Sequence, residues 1–278
     1  MPTRDARPTS YDEDRTREAL RGTVRGWHVD VVDSTGSTNA DLVAAAGRGA
    51  VDRSVLVALA QTAGRGRLGR EWVAPPGSGL TFSVLLRPEV SPARWGWLPL
   101  LTGLAVCEAV RSAAGVGATV KWPNDVLVDG RKLAGVLAEV AGDAVVVGVG
   151  LNVALAEDEL PVPTATSLLL AGSRTLDPAQ VLGAVLGRLD HWVGRFARAG
   201  GDPALAGVRE AYRAACSTLG SDVAVNLPGG GELRGRAADL DDDGRLVVDA
   251  DGARRTVGAG DVVHVRPDVP GHRLAPKG

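Results

Sequence analysis

Two short stretches of the chain concentrate groups that bind anions. In residues 64–72 (GRGRLGREW), Arg65, Arg67 and Arg70 are set among glycines. Arginine offers forked donors to phosphate or carboxylate, and glycine lets the backbone come close to a ligand. Three like charges this near one another repel unless an anion joins them. Gly64, Gly66 and Gly69 also satisfy G-x-G-x-x-G, but a dinucleotide turn must open a helix. Pro75, Pro76, Gly77 and Gly79 forbid a helix here. The spacing therefore predicts an anion-binding loop over residues 63–79, mobile when empty and ordered by its ligand.

Residues 121–139 (KWPNDVLVDGRKLAGVLAE) form the second stretch. Of the 31 basic residues only Lys121, Lys132 and Lys277 are lysines, and two of them fall here. Where arginine is the default cation, a lysine marks a place that needs a compact ammonium which a planar guanidinium cannot replace. Pro123 and Asn124 make a turn, and a hairpin returns the chain to its starting end, so Lys121 and Lys132 either converge on one polyanion or stand as two solvated lysines at strand ends. Asp125 either takes a metal through water or caps the turn.

Three further positions carry polar groups. Ser37, Thr38 and Asn39 put two hydroxyls and an amide at a helix start. That set suits a neutral ligand such as a urea, and it suits a plain N-cap equally well. Gln61 ends an apolar strand beside the arginine loop. Asn152 ends another, where an amide can read a base edge or satisfy backbone.

These side chains need strands and helices to aim them. Strands are expected over residues 28–32, 54–61, 80–86, 118–122, 125–128, 133–140 and 144–153, with Asp129-Gly130 as a hairpin signal. Helices are expected over residues 41–46, 98–114 and 203–216, and from an Asp177 cap through Pro178 to residue 199. Beyond Thr218, short strands alternate with Gly- and Asp-rich turns, which predicts a small SH3-like β-barrel. The expected division is a disordered lead-in over residues 1–22, a catalytic domain over 23–217, the barrel over 218–268 and a flexible tail over 269–278.

Composition excludes several classes. With 33 acidic against 31 basic residues, the net charge of -2 gives no general pull toward nucleic acid or anionic membrane. Two cysteines build neither a disulfide framework nor a zinc site, which favours a reducing cytoplasm. Residues 95–107 are the most apolar stretch. Pro99 breaks it, and it falls short of the roughly 20 residues that span a bilayer.

STN, QTAGRGRLGREW, KWPNDVLVDGRKLAGVLAE and GVGLNV, in this order and spacing, resemble the biotin protein ligase family over about residues 27–266. The resemblance implies an α+β fold: a mixed-sheet catalytic domain of the biotin/lipoate ligase type, then an SH3-like domain. It implies activation of biotin by ATP and Mg²⁺ to biotinyl-5'-AMP. Transfer would follow to a lysine of the biotin carboxyl carrier domain of an acetyl/acyl-CoA or pyruvate carboxylase. Ser37, Thr38, Asn39 and Gln61 would hold the biotin head. Arg65, Gly66 and Arg67 would close over biotin and the adenylate, and Lys132 would meet the biotin carboxylate and the α-phosphate. Arg67, Arg70, Trp72, Lys121, Asn124, Asp125 and Asn152 would bind ATP, with Trp72 and Asn152 at adenine and Mg²⁺ near Asp125. Lys132, Arg65 and Arg67 would be catalytic. A lipoate or octanoate ligase is the alternative enzyme. A ligase that is also a repressor would need a DNA-binding domain, and the roughly 25 polar residues ahead of Trp27 are below the floor of about 40 for independent folding. No nucleic-acid partner is expected.

Overall fold

Alternation of side chains across seven strands builds one mixed sheet in the computed structural model, which describes residue 18 and residues 26–227, 230–258 and 261–264. The strands are β1 (His28–Thr35), β2 (Ser54–Gln61), β3 (Gly79–Leu86), β4 (Ala118–Lys121), β5 (Asp125–Val128), β6 (Arg131–Ala141) and β7 (Ala144–Asn152). Their order is β1-β2-β3-β7-β6-β5-β4. Only β1 and β2 run parallel. A parallel pair requires a crossover, and helix α1 (Thr38–Gly47) supplies it.

The two faces of the sheet differ in their cover. Leu80, Phe82, Val84 and Leu86 of β3 and Val145, Val147, Val149 and Leu151 of β7 point to one side and enter the main core. Helices α2 (Trp97–Ala109) and α3 (Pro178–Arg198) pack there. Leu85 and Val146, of opposite parity, pack with Leu42 and Ala46 of α1 on the other side. Short α1 covers only part of that face, and the remainder is where the site forms.

Two helices differ from expectation at their ends. Helix α2 stops at Ala109, and a π turn over Val110–Ala114 leads to Gly115 with φ 72°. The second late helix, α4, covers only Val208–Ala215. Asp202 accepts the Ala204 and Leu205 N–H groups at 2.8 and 2.9 Å and so holds the preceding residues in a turn. The cap on α3 forms as its sequence suggests: Asp177 accepts the Ala179 N–H at 2.9 Å, with Pro178 at the first position.

Strands β8 (Asp222–Asn226), β9 (Glu232–Leu240), β10 (Leu246–Ala250), β11 (Ala253–Val257) and β12 (Asp261–His264) make a separate antiparallel sheet of the SH3-like type, ordered β11-β10-β9-β8-β12. Its apolar residues Val223, Val225, Leu240, Leu246 and Val248 belong to the same core cluster as the large sheet. Two tryptophans cross the junction. The Trp97 indole N–H donates to the Asp242 carbonyl at 2.8 Å, and the Trp122 indole N–H donates to that of Gly244 at 3.0 Å. The expected lead-in, residue 18 apart, and the expected tail lie outside the described residues. Among the described residues no helix is long and apolar enough to cross a membrane.

Candidate active site

The half-covered face of the sheet presents Thr81 and Ser83 from β3, Gly135, Leu137 and Glu139 from β6, and Gly148 and Gly150 from β7. The glycines decide what can lie flat on it. A Cβ at Gly148 would stand 2.2 Å from the Asn39 amide oxygen, and one at Gly150 would stand 2.1 Å from the Trp72 ring. Removing side chains there lets α1 and the loop sit directly on the strands.

A row of polar groups runs across this floor. Gln61 Oε1 accepts from the Thr38 backbone N–H at 2.8 Å and from its hydroxyl at 3.1 Å. The Thr38 hydroxyl also meets Ser83 Oγ at 2.7 Å, and Ser83 Oγ donates to the Asn39 amide oxygen at 2.6 Å. Asn39 Nδ2 then donates to Glu139 Oε2 at 2.7 Å. Buried Thr38 and Asn39 are thus oriented through Ser83, and both still line the cavity. Ser37 occupies the N-cap of α1 without a side-chain cap bond. The capping alternative for this triplet is therefore not what the side chains do. Ser37, 6% exposed, lines the cavity.

Cations gather at the other end. Lys132 Nζ lies 2.7 Å from Asp125 Oδ1 and 5.8 Å from the centre of the Trp72 ring. The Lys132–Asp125 contact is an ion pair without hydrogen-bond alignment, because Asp125 Oδ1 is buried with no hydrogen-bonding partner. Arg67 donates to Asn124 Oδ1 at 2.9 Å. Burial pushes the Arg67 guanidinium below its ordinary range, opposed by the nearby Asp125 carboxylate and aided by Arg70.

Ser37, Thr38, Asn39, Gln61, Arg65, Gly66, Arg67, Arg70, Trp72, Asn124, Asp125 and Lys132 line a single cavity. Lys121 and Asn152 are not among its lining residues. Lys121 stands opposite Asp125 in the β4–β5 register. Burial lowers its pKa, Asp125 opposes that shift, and Lys132 and Arg70 add to it. The two lysines therefore converge on one carboxylate. Asn152, 2% exposed, donates to the Thr166 carbonyl at 2.9 Å, and its own amide oxygen is buried without a partner. The Thr166 N–H in turn bonds the Lys132 carbonyl, so Asn152 backs the strand that carries Lys132.

The loop's Arg65 and Arg67 have partners within the protein: Arg65 lies 3.4 Å from Glu139, and Arg67 is hydrogen-bonded to Asn124. No helix opens at the glycine run. A 3-10 turn (Arg67–Gly69) and a bridge between Arg65 and Glu71 shape it.

Sequence reasoning missed Ser83, Glu139 and the glycine floor. A signal for the floor was present: Gly148 and Gly150, two apart in an otherwise apolar strand, mark one face that is closely approached. Ser83 and Glu139 gave no such signal, because a single polar residue inside a strand is commonplace.

Residues 33–153 match the biotin/lipoate A/B protein ligase family, and residues 218–265 match the biotin protein ligase C terminal domain. The chain is 46% identical over 272 residues to a biotin–[acetyl-CoA-carboxylase] ligase from Mycobacterium tuberculosis, covering 96% of this chain and all of that protein. It is 30% identical to the bifunctional ligase/repressor BirA of Bacillus subtilis, covering 92% of this chain and 80% of that one. A biotin protein ligase from Aquifex aeolicus, solved in complex with biotin and ATP, superposes with a TM-score of 0.72 and 28% identity. That match covers 86% of this chain and 99% of the other.

Proposed function

The chain belongs to the biotin protein ligase family, and from that premise we infer how its own residues carry out the family's reaction. It is a ligase that activates biotin with ATP and transfers it to a carboxylase. In the first step a biotin carboxylate oxygen bonds to the α-phosphorus while the bond to the β-phosphate oxygen breaks and pyrophosphate leaves. In the second, a neutral amine nitrogen bonds to the acyl carbon, the bond from that carbon to the phosphate oxygen breaks, AMP leaves and the nitrogen gives up a proton to solvent.

Two anions meet in the first step, so positive charge is the first requirement. Lys132 is suited to it, since its ammonium rests against Asp125 without hydrogen-bond alignment and can turn to an incoming oxyanion. Arg65 and Arg67 carry the same charge on the wall of the same cavity. Ser37, Thr38 and Gln61 offer the hydroxyl and amide set that a ureido ring requires, with Asn39 holding Thr38 in place through Ser83. The ring of Trp72, on the cavity wall, fits the face of adenine, while Asn152, buried outside the cavity lining, would meet the edge of adenine only if the Trp72 ring moved off the strands. Arg70, Asn124 and, from behind, Lys121 fit the phosphates.

The site also fits the Mg²⁺ that accompanies ATP. Mg²⁺ at nucleotide sites is held by one or two carboxylates together with phosphate oxygens. Asp125 Oδ1 makes no hydrogen bond but lies 2.7 Å from the Lys132 ammonium, so an ion held by Asp125 would share that carboxylate with Lys132. When bound there, the ion supplies charge to the departing pyrophosphate.

The acceptor we propose is the lysine of a biotin carboxyl carrier domain. A cytoplasmic location agrees with that partner and with the free thiols Cys107 and Cys216. One observation carries the substrate reading: the hydroxyl–amide row and the cations line a single cavity. An aliphatic acid such as lipoate has no ureido group to meet the hydroxyls and amides that this row turns to the cavity. Calorimetric titration with biotin and with lipoate tests it. Saturable binding of biotin alone is expected, and equal affinity for lipoate would reverse the assignment.

A further inference from the structure

We propose that Glu139 is a positioning residue that holds Arg65, and with it the glycine–arginine loop, at the cavity wall before substrate arrives. Glu139 is the last of the three floor residues of β6, and its two oxygens have different partners. Oε2 accepts from Asn39 Nδ2 at 2.7 Å, while Oε1 faces Arg65 Nη1 at 3.4 Å. The Asn39 side is rigid. Its amide oxygen is held by Ser83 at 2.6 Å, and its Nδ2 also reaches the Leu137 carbonyl at 3.2 Å. With Oε2 fixed in this way, Oε1 is aimed at the loop.

The loop behaves as one body. The Gly66 N–H bonds the Arg70 carbonyl at 2.7 Å and the Trp72 N–H bonds that of Gly64 at 2.9 Å. Side chains tie it down on two sides: Arg67 to Asn124 on the turn before β5, and Arg65 to Glu139 on β6. The Glu139 tether connects the loop to the same amide that orders the polar row, so loop position and pocket floor are set together. Side-chain exposures of 48% for Arg65 and 30% for Glu139 make the pair a weak contributor to folding stability. Its effect falls on where the loop rests.

The kinetic part of the test rests on the ligase reading, whereas hydrogen exchange in the empty enzyme does not. Glu139→Gln keeps an oxygen for Asn39 and removes the charge that faces Arg65. Amides of residues 64–71 in the empty variant are expected to exchange about three- to fivefold faster, the scale of a partly exposed ion pair. The KM for biotin is expected to rise by a similar factor while kcat holds within about twofold. Arg65→Gln should speed exchange to the same extent, and adding Glu139→Gln to it should change nothing further. Unchanged exchange in Glu139→Gln, or additive effects in the double variant, would overturn the proposal. So would a fall in KM, which would mean that Glu139 competes with substrate for Arg65. Should Glu139→Gln fail to fold, Arg65→Gln alone reads the tether: faster exchange supports it and unchanged exchange overturns it.

Discussion

At the scale of single residues, Lys132 is where charge, size and packing all matter. Its Nζ sits beside the Asp125 carboxylate and the Trp72 ring, and a Cβ on Gly135 would come within 3.1 Å of it. A guanidinium is wider and planar, and here it would press on the indole and the glycine strand. Lys132→Arg keeps the charge but displaces both reactants, and an error of about 1 Å can cost roughly 100-fold. Lys132→Ala loses the charge as well. Both variants are expected to fold, and both should lower biotinyl-adenylate formation by at least that factor at saturating biotin and ATP. Near-normal turnover of Lys132→Arg would show that any cation suffices. The scarcity of lysine made this position legible from sequence alone. Its partner was less so: Asp125 could be read as a metal ligand or a turn cap, and only the fold reveals it between two ammonium groups.

At the scale of elements, strand pattern and turn chemistry located most of the sheet. Runs such as residues 54–61 and 144–153 are apolar because one face of their strands enters the main core and α1 covers part of the other. The helix over residues 203–216 was overextended because a propensity pattern does not register that Asp202 takes the first backbone N–H groups into a turn. What no local pattern disclosed is that the turn bearing Asn124 and Asp125 is clamped from the second domain. The Trp122 backbone N–H donates to Thr218 Oγ1 at 3.0 Å and its indole N–H to the Gly244 carbonyl at 3.0 Å, both buried. These partners are 96 and 122 residues away in sequence. Trp122→Phe keeps an aromatic side chain but removes the indole N–H, which strands the buried Gly244 carbonyl, and leaves a small cavity. Leaving a buried acceptor unpaired costs about 1–3 kcal/mol. Urea unfolding should show a loss of at least that size, and an unchanged midpoint would mean that water reaches the carbonyl.

At the scale of the whole molecule, the junction of the two sheets contains a titratable group. His264 on β12 lies 3.2 Å from Thr218 Oγ1, the atom that accepts from Trp122. Burial lowers its pKa from 6.5, and the Lys121 ammonium adds to the shift. The folded state therefore prefers the neutral ring, while the unfolded chain takes up a proton as pH falls through the ordinary value near 6.5. This contribution is absent above that pH and becomes destabilising below it, down to the folded pKa. His264→Gln should lose stability less steeply than the parent protein between about pH 7.5 and 5.5. Parallel curves would show that the ring is solvated in the folded protein. The same junction links the turn bearing Asn124 and Asp125 to the small sheet, which among the described residues contributes none to the cavity lining.

The central claim is that this cavity selects and activates biotin. Pyrophosphate release at saturating ATP and Mg²⁺, measured in turn with biotin, lipoate and octanoate, tests it most directly. Release is expected to saturate with biotin, to stay at background with the other two acids, and to be lost in Lys132→Ala. Release with lipoate or octanoate at the biotin rate would contradict it, since the row from Gln61 through Thr38 and Ser83 to Asn39 would then not be reading a ureido head.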